Sequence, residues 1–186
     1  LDGKINNYLP WYRKDTGEKI TIHQLMNHTS GIPDYTSVEG FFETESRDPY
    51  EPKEFIEKYC MKDLEFEPET DQKYSNSAYF ILGAIIEAVS GSTYENYIQE
   101  NIFNKLGMYN SGYGSNSKII SNDSEGYSKE NGELIHAQYL DMSIPYSAGS
   151  LYSTVEDMYL WDRSLYTNFL LPDKWRDTLF HNYKNG

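Results

Sequence analysis

Tyr74-Ser75-Asn76 stands directly before the most apolar helical pattern in the chain, within the run Lys73 to Gly91 (KYSNSAYFILGAIIEAVSG). A tyrosine hydroxyl and an amide two residues apart at a helix entrance can point into one cleft. A phenol normally loses its proton near pH ~10, and a neighbouring lysine ammonium makes it a usable general base. An amide offers both a donor and an acceptor, so Asn76 can hold a substrate carbonyl or a lysine side chain. Together they form half of an acyl-transfer site. The other half is not visible in the chain.

The positioning element is a helix expected from about Ser77 to Ser90. Ala78, Ile81, Leu82, Ile85, Ile86 and Val89 recur at the spacing of one buried face, and Gly91 closes it. Ser92-x-x-Glu95 reads as a capping box opening the next helix, with Tyr94, Tyr97, Ile98 and Ile102 inside and Leu106-Gly107 at its end. So short a link predicts a helical hairpin.

Upstream, Leu1 to Pro10 reads as a helix exit and extended turn. Ile20 to Asn27 predicts a helix, with Gly31 suited to a left-handed cap. Ile32 to Tyr35 is a turn, and Glu51 to Met61 predicts a helix opened by Pro52. Downstream, Asn110 to Asn131 reads as a long surface loop and Glu133 to Tyr139 as a short strand. Ala148-Gly149 is a turn. Ser153-x-x-Glu156 reads as another capping box before a helix marked by Val155, Met158, Trp161 and Leu165. Pro172 to Phe180 predicts a last short helix. The pattern is mainly α with little sheet.

Composition narrows the function classes. The chain has 186 residues, enough for one core or part of a larger one, and its 18 tyrosines supplement an apolar content of 38%. A net charge of −13 with no basic stripe argues against a nucleic-acid partner or an anionic membrane surface. The single cysteine, Cys60, cannot form an intrachain disulfide and reads as a core residue. No apolar run reaches the ~18 residues of a membrane span. Leu1 is not a methionine, so the natural start is expected upstream.

Other constellations read as structural. His23 and His28 are not at the helical spacing of paired metal ligands, and His136 and His181 are remote, so no metal or other cofactor is expected. Glu65/Glu67 and Glu69/Asp71 lack the glycine and spacing of a calcium loop and read as a solvated face.

Four stretches in order resemble the serine β-lactamase and penicillin-binding-protein-like family, nearest to class C β-lactamases, DD-peptidases and related esterases. They are Leu1-Asp2-Gly3-Lys4 with Tyr8-Leu9-Pro10; Ile20 to Tyr35 (ITIHQLMNHTSGIPDY); Lys73 to Gly91 continuing through Phe103 to Met108 (FNKLGM); and Ala148 to Asp157 (AGSLYSTVED). In that family a Ser-x-x-Lys motif supplies the nucleophile and its lysine, Tyr-x-Asn the second element, and Lys-Thr-Gly or His-x-Gly on a strand the third. The resemblance implies that Tyr74 moves protons with the lysine and that Asn76 orients that lysine and the substrate amide.

The first motif is expected before Leu1 and the third after Gly186. Residues 1–186 therefore read as one fragment, the helical region of an α/β fold, inactive alone. Ser115-Asn116-Ser117-Lys118 matches the first motif by letters but lies in a Gly/Ser/Asn loop after Tyr-x-Asn. Lys184-Asn185-Gly186 imitates the third without a strand or the hydroxyl residue. The implied parent is a serine hydrolase acting on D-alanyl peptides, β-lactams or small esters, with a small-molecule or peptidoglycan-like substrate. An extracytoplasmic or cell-envelope location follows from the resemblance alone. A non-catalytic binding or sensor protein on the same scaffold is the alternative, and self-association through an uncovered apolar face is a further expectation.

Overall fold

A computed structural model describes residues 1–181. In chain order its elements are α1 (Ile5–Tyr8), α2 (Lys14–Gly17), α3 (Ile22–Met26), α4 (Phe41–Thr44), α5 (Pro52–Phe55), α6 (Asn76–Ser90), α7 (Tyr94–Ile98), α8 (Asn104–Leu106), β1 (Gly112–Tyr113), β2 (Tyr127–Glu130), β3 (Glu133–His136), α9 (Tyr146–Gly149), β4 (Leu151–Tyr152), α10 (Val155–Ser164) and α11 (Asp173–Phe180). Turns with π-helical hydrogen bonding continue α5 over Ile56–Cys60 and α7 over Gln99–Phe103. The described residues are mainly helical, and their strands form two antiparallel pairs, β1 with β4 and β2 with β3.

The long helix α6 organises the core. Ser75 caps its start by accepting the Ala78 N–H at 3.2 Å, and Gly91 ends it in the left-handed conformation. Ala78, Phe80, Ile81, Ala84 and Ile85 are buried. Phe80 stacks on Phe55 at 4.4 Å and meets Tyr35 and Tyr146 at 6.3 and 4.7 Å. Phe41 and Tyr59 extend this aromatic cluster. Tilted and edge-on ring pairs add a fraction of a kcal/mol to about 1.5 kcal/mol each beyond their burial. Buried phenols find carbonyls: Tyr35 donates to Ile144 O at 3.1 Å and Tyr12 to Cys60 O at 2.9 Å. Cys60 is fully buried, and desolvation pushes its thiol up to about 12, which fits the core reading and makes it unreactive.

Several sequence expectations need correction. The buried face of α6 is rotated: Phe80 and Ala84 belong to it, Leu82 and Ile86 are half-buried, and Val89 is 66% exposed. The aromatic cluster captured the Phe80 side of the helix, leaving Leu82 and Ile86 to line a cavity of about 530 Å³. The two downstream caps sit one residue later than the letters suggested. Thr93 accepts the Asn96 N–H and Thr154 accepts the Asp157 N–H. For α10 the choice follows from Asp157, which turns inward and accepts from the Asn110 N–H at 2.8 Å and the Ser111 hydroxyl at 2.7 Å.

The stretch 110–131 is not all loop. Gly112–Tyr113 pairs with Leu151–Tyr152, and Tyr127–Glu130 forms a hairpin with Glu133–His136. Asn131 and Gly132 both have positive φ, the geometry of a two-residue hairpin turn, so the Asn-Gly pair was the available signal. Ala148-Gly149 belongs to the helical turn α9 rather than to an open turn. The short strand expected from Glu133 is present, and the last helix runs Asp173–Phe180. Lys184-Asn185-Gly186 lies outside the described residues.

Candidate functional site

Ser75 is extended (φ −146°, ψ 113°), while Asn76 begins α6. In extended backbone, residues on either side of a position share a face. Tyr74 and Asn76 accordingly lie together, and the Tyr74 hydroxyl donates to Asn76 Oδ1 at 3.0 Å. Tyr74 is 62% exposed, so its phenol is presented outward.

The α3 end and the following loop hold this entrance from behind. Thr21 and Gln24 make a reciprocal capping box at the start of α3. At the far end His28, not Gly31, takes the left-handed position adjoining the helix (φ 61°). Gly31 is left-handed too (φ 77°), but it serves a close approach. A Cβ there would lie 2.1 Å from the Phe66 carbonyl oxygen, and Gly31 O accepts the Glu65 N–H at 2.9 Å. The 65–73 segment is thus stitched to 27–31, aided by Lys73 N–H donating to His28 O at 3.0 Å.

The imidazole of His28 does more than close its helix. Nδ1 accepts the Ser75 N–H at 3.2 Å. Its ring lies 4.6 Å from that of Tyr74 and 5.0 Å from that of Tyr79. Tyr79 is fixed in turn by donating to Met26 O at 2.9 Å. Burial lowers the His28 pKa, opposed in part by the Asp34 charge. The neutral ring with its proton on Nε2 is the form that suits an accepting Nδ1.

Asp34 completes the cluster. Its Oδ1 accepts the Thr36 N–H at 3.0 Å, capping the turn expected there, and its Oδ2 accepts from Asn76 Nδ2 at 2.9 Å. Forty-two residues of chain separate the pair, and nothing in the sequence pattern signalled it. Ser77, one residue on, accepts the Tyr35 N–H at 2.9 Å, so the 34–35 backbone is locked to α6.

The Ser-x-x-Lys look-alike separates cleanly from this site. Lys118 pairs with Glu95 while Ser115 bonds to Ser117 at 2.9 Å, so the Ser-x-x-Lys letters build no nucleophile–lysine pair. Lys73, adjacent to Tyr74 in sequence, is held by Glu65 at 2.6 Å. Among the described residues, the Tyr74 hydroxyl therefore has a hydrogen-bond acceptor in place and no ammonium beside it. The cavity of about 530 Å³ adjoins the cluster through Tyr79 and Ser147 and is walled mainly by apolar side chains, including Leu82, Ile86, Tyr94 and Trp161.

Fold and site together define a member of the serine β-lactamase and penicillin-binding-protein superfamily. The chain belongs to the Beta-lactamase family, whose sequence profile matches residues 1–181. PbpX of Bacillus subtilis, provisionally named a penicillin-binding protein, is 29% identical over 176 residues, 95% of this chain and 42% of PbpX. Teichoic acid D-alanine hydrolase of Staphylococcus aureus is 22% identical, across 98% of this chain and 44% of the hydrolase. Among solved structures, a D-stereospecific amidohydrolase from Streptomyces sp. superimposes with a TM-score of 0.84 at 30% identity, over 97% of this chain and 57% of that one. The chain thus spans about half the length of these relatives.

Proposed function

We propose that residues 1–186 are the helical region of a serine hydrolase acting on amide or ester carbonyls through an acyl-enzyme, and that Tyr74 and Asn76 serve its acyl-transfer site. The observation that carries this reading is the exposed Tyr74 phenol hydrogen-bonded to Asn76 at the α6 entrance, in a chain of the Beta-lactamase family. A serine oxygen from outside this chain attacks the carbonyl carbon. Its proton passes through the lysine and Tyr74 to the leaving amine or alcohol. Water then attacks the acyl ester, gives up its proton along the same groups and frees the serine. Asn76 has a second Nδ2–H beyond the one given to Asp34, available to the substrate or its carbonyl.

The names of the relatives, a penicillin-binding protein, a teichoic acid D-alanine hydrolase and a D-stereospecific amidohydrolase, support D-aminoacyl or penicillin-like substrates, and an extracytoplasmic location is part of the same proposal. Residues 1–186 alone are inactive in this reading, because losing the nucleophile of a coupled set costs on the order of 10⁶ in kcat. The test is acylation of the full-length protein by a fluorescent penicillin, together with hydrolysis of D-alanyl esters and amides. Labelling should vanish when the Ser-x-x-Lys serine becomes alanine and fall strongly in Tyr74→Phe. An open reading frame with no Ser-x-x-Lys upstream of Leu1 would leave a binding or sensor protein instead. Unchanged labelling in Tyr74→Phe would remove the proton-transfer role.

A further inference from the structure

We infer that Asp34 is a positioning residue for acyl transfer: it sets which end of the Asn76 amide faces Tyr74. This rests on the function proposed above and adds to it a residue outside the Tyr-x-Asn motif.

The argument is one of donor and acceptor supply. A carboxylate offers acceptors and no donor, so the Asn76 atom that meets Asp34 Oδ2 at 2.9 Å must be the amide nitrogen. The carbonyl end then faces Tyr74, whose hydroxyl donates to it at 3.0 Å. Reversing the amide would set oxygen against oxygen at Asp34. Asp34 itself cannot swing away without loss, because Oδ1 is held by the Thr36 N–H at 3.0 Å. The neighbouring Tyr35 N–H is tied to Ser77 Oγ, on the same helical turn as Asn76, at 2.9 Å. Acceptor and amide are therefore fixed to one frame. Asp34 has no ion-pair partner among the described residues, so its acceptor capacity is not diverted to a cation.

The orientation matters for the chemistry. It presents an acceptor to the Tyr74 hydroxyl, or to an ammonium arriving beside it, and it leaves the second Nδ2–H for the substrate. A reversed amide would direct donors at Tyr74 and leave an arriving ammonium without the Oδ1 acceptor.

Two variants of the full-length protein test this. Asp34→Asn keeps shape but has one acceptor for two donors. If that acceptor stays with Thr36, the new amide nitrogen confronts Asn76 and reverses it. Asp34→Ser keeps a hydroxyl cap for Thr36 and is too short to reach Asn76. In both, single-turnover acylation and kcat should fall roughly ten- to a hundredfold while KM changes by less than about threefold. Either substitution made in an Asn76→Ala background should add less than about twofold. An equal loss in both backgrounds, or a change confined to KM, would overturn the inference. If the wild-type protein shows no acyl transfer, the proposed function fails. The orientation is then read from the Asn76 side-chain amide protons in ¹⁵N-labelled protein. Chemical shifts moved in both variants would support the role of Asp34, and unmoved shifts would overturn it.

Discussion

Nδ1 of His28 accepts the backbone N–H of Ser75 at 3.2 Å, joining residues 47 apart in sequence. Ser75 is also the N-cap of α6, so the residue that starts the long helix is held by the ring that ends α3. The rings of Tyr74 and Tyr79 both pack against it. The helix entrance is thereby fixed in direction before any substrate arrives.

The burial of His28 gives a pH dependence. The folded-state pKa of His28 is lowered by burial, so the unfolded chain binds the proton more readily. Stability from His28 is then fully present above the unfolded value of ~6.5 and declines as pH falls from there toward the lowered folded value. Thermal melts of wild type and His28→Gln between pH 7.5 and 5, on the order of half-unit steps, should show the gap between them narrowing on the acid side. A constant gap would refute the assignment.

Tyr74→Phe separates function from stability. The phenol is 62% exposed and its hydrogen bond is at the surface, so denaturant unfolding should change by no more than about 0.5 kcal/mol. Acylation by the full-length protein should fall about 10²- to 10⁴-fold, the usual contribution of a positioned proton-transfer group.

Gly31 and Gly91 offer a matched pair. Both have positive φ, but a Cβ at Gly91 meets nothing within 4 Å, whereas one at Gly31 would lie 2.1 Å from Phe66 O. Gly91→Ala should lose about 1 kcal/mol from backbone strain alone. Gly31→Ala should lose clearly more, ~3 kcal/mol or greater, because the 65–73 segment must move. Urea denaturation of the two variants measures the difference.

Asp157 is 3% exposed and receives the Asn110 N–H and the Ser111 hydroxyl. Asp157→Ala strands the Asn110 N–H, while the Ser111 hydroxyl keeps Ser153 Oγ at 2.7 Å, and should destabilise by ~1–3 kcal/mol, loosening the 110–113 crossing onto β4. Amide hydrogen exchange at Asn110 should accelerate accordingly.

Met158 lines the apolar cavity and is exposed, as are Val155 and Tyr159 on the same helix and Tyr166 and Phe169 after it. So much apolar surface favours association of the isolated 186-residue chain. Light scattering should show mass rising with concentration, and Met158→Lys should reduce it. A strictly monomeric chain at high concentration would count against the idea.

Local pattern made much of this protein legible. The apolar period after Ser75, the glycine at position 91, Pro52 at the head of its helix and the Tyr-x-Asn letters needed only neighbours within a turn or two. The hairpin at Asn131-Gly132 follows the same logic, although the polar stretch around it reads as loop. The cap positions at Thr93 and Thr154 were ambiguous because adjacent hydroxyl residues offered equivalent letters. For Thr154, the inward turn of Asp157 broke the tie.

The sequence by itself determined a mainly helical chain with a phenol and an amide at the mouth of its longest helix, because helix periods and caps are written in contacts a few residues long. Only the tertiary structure decided which face of α6 is buried, that His28 buttresses Ser75, and that Asp34 holds Asn76. Those choices depend on rings and polar atoms dozens of residues apart, where packing shape and the pairing of donors with acceptors select among arrangements that local pattern leaves equal.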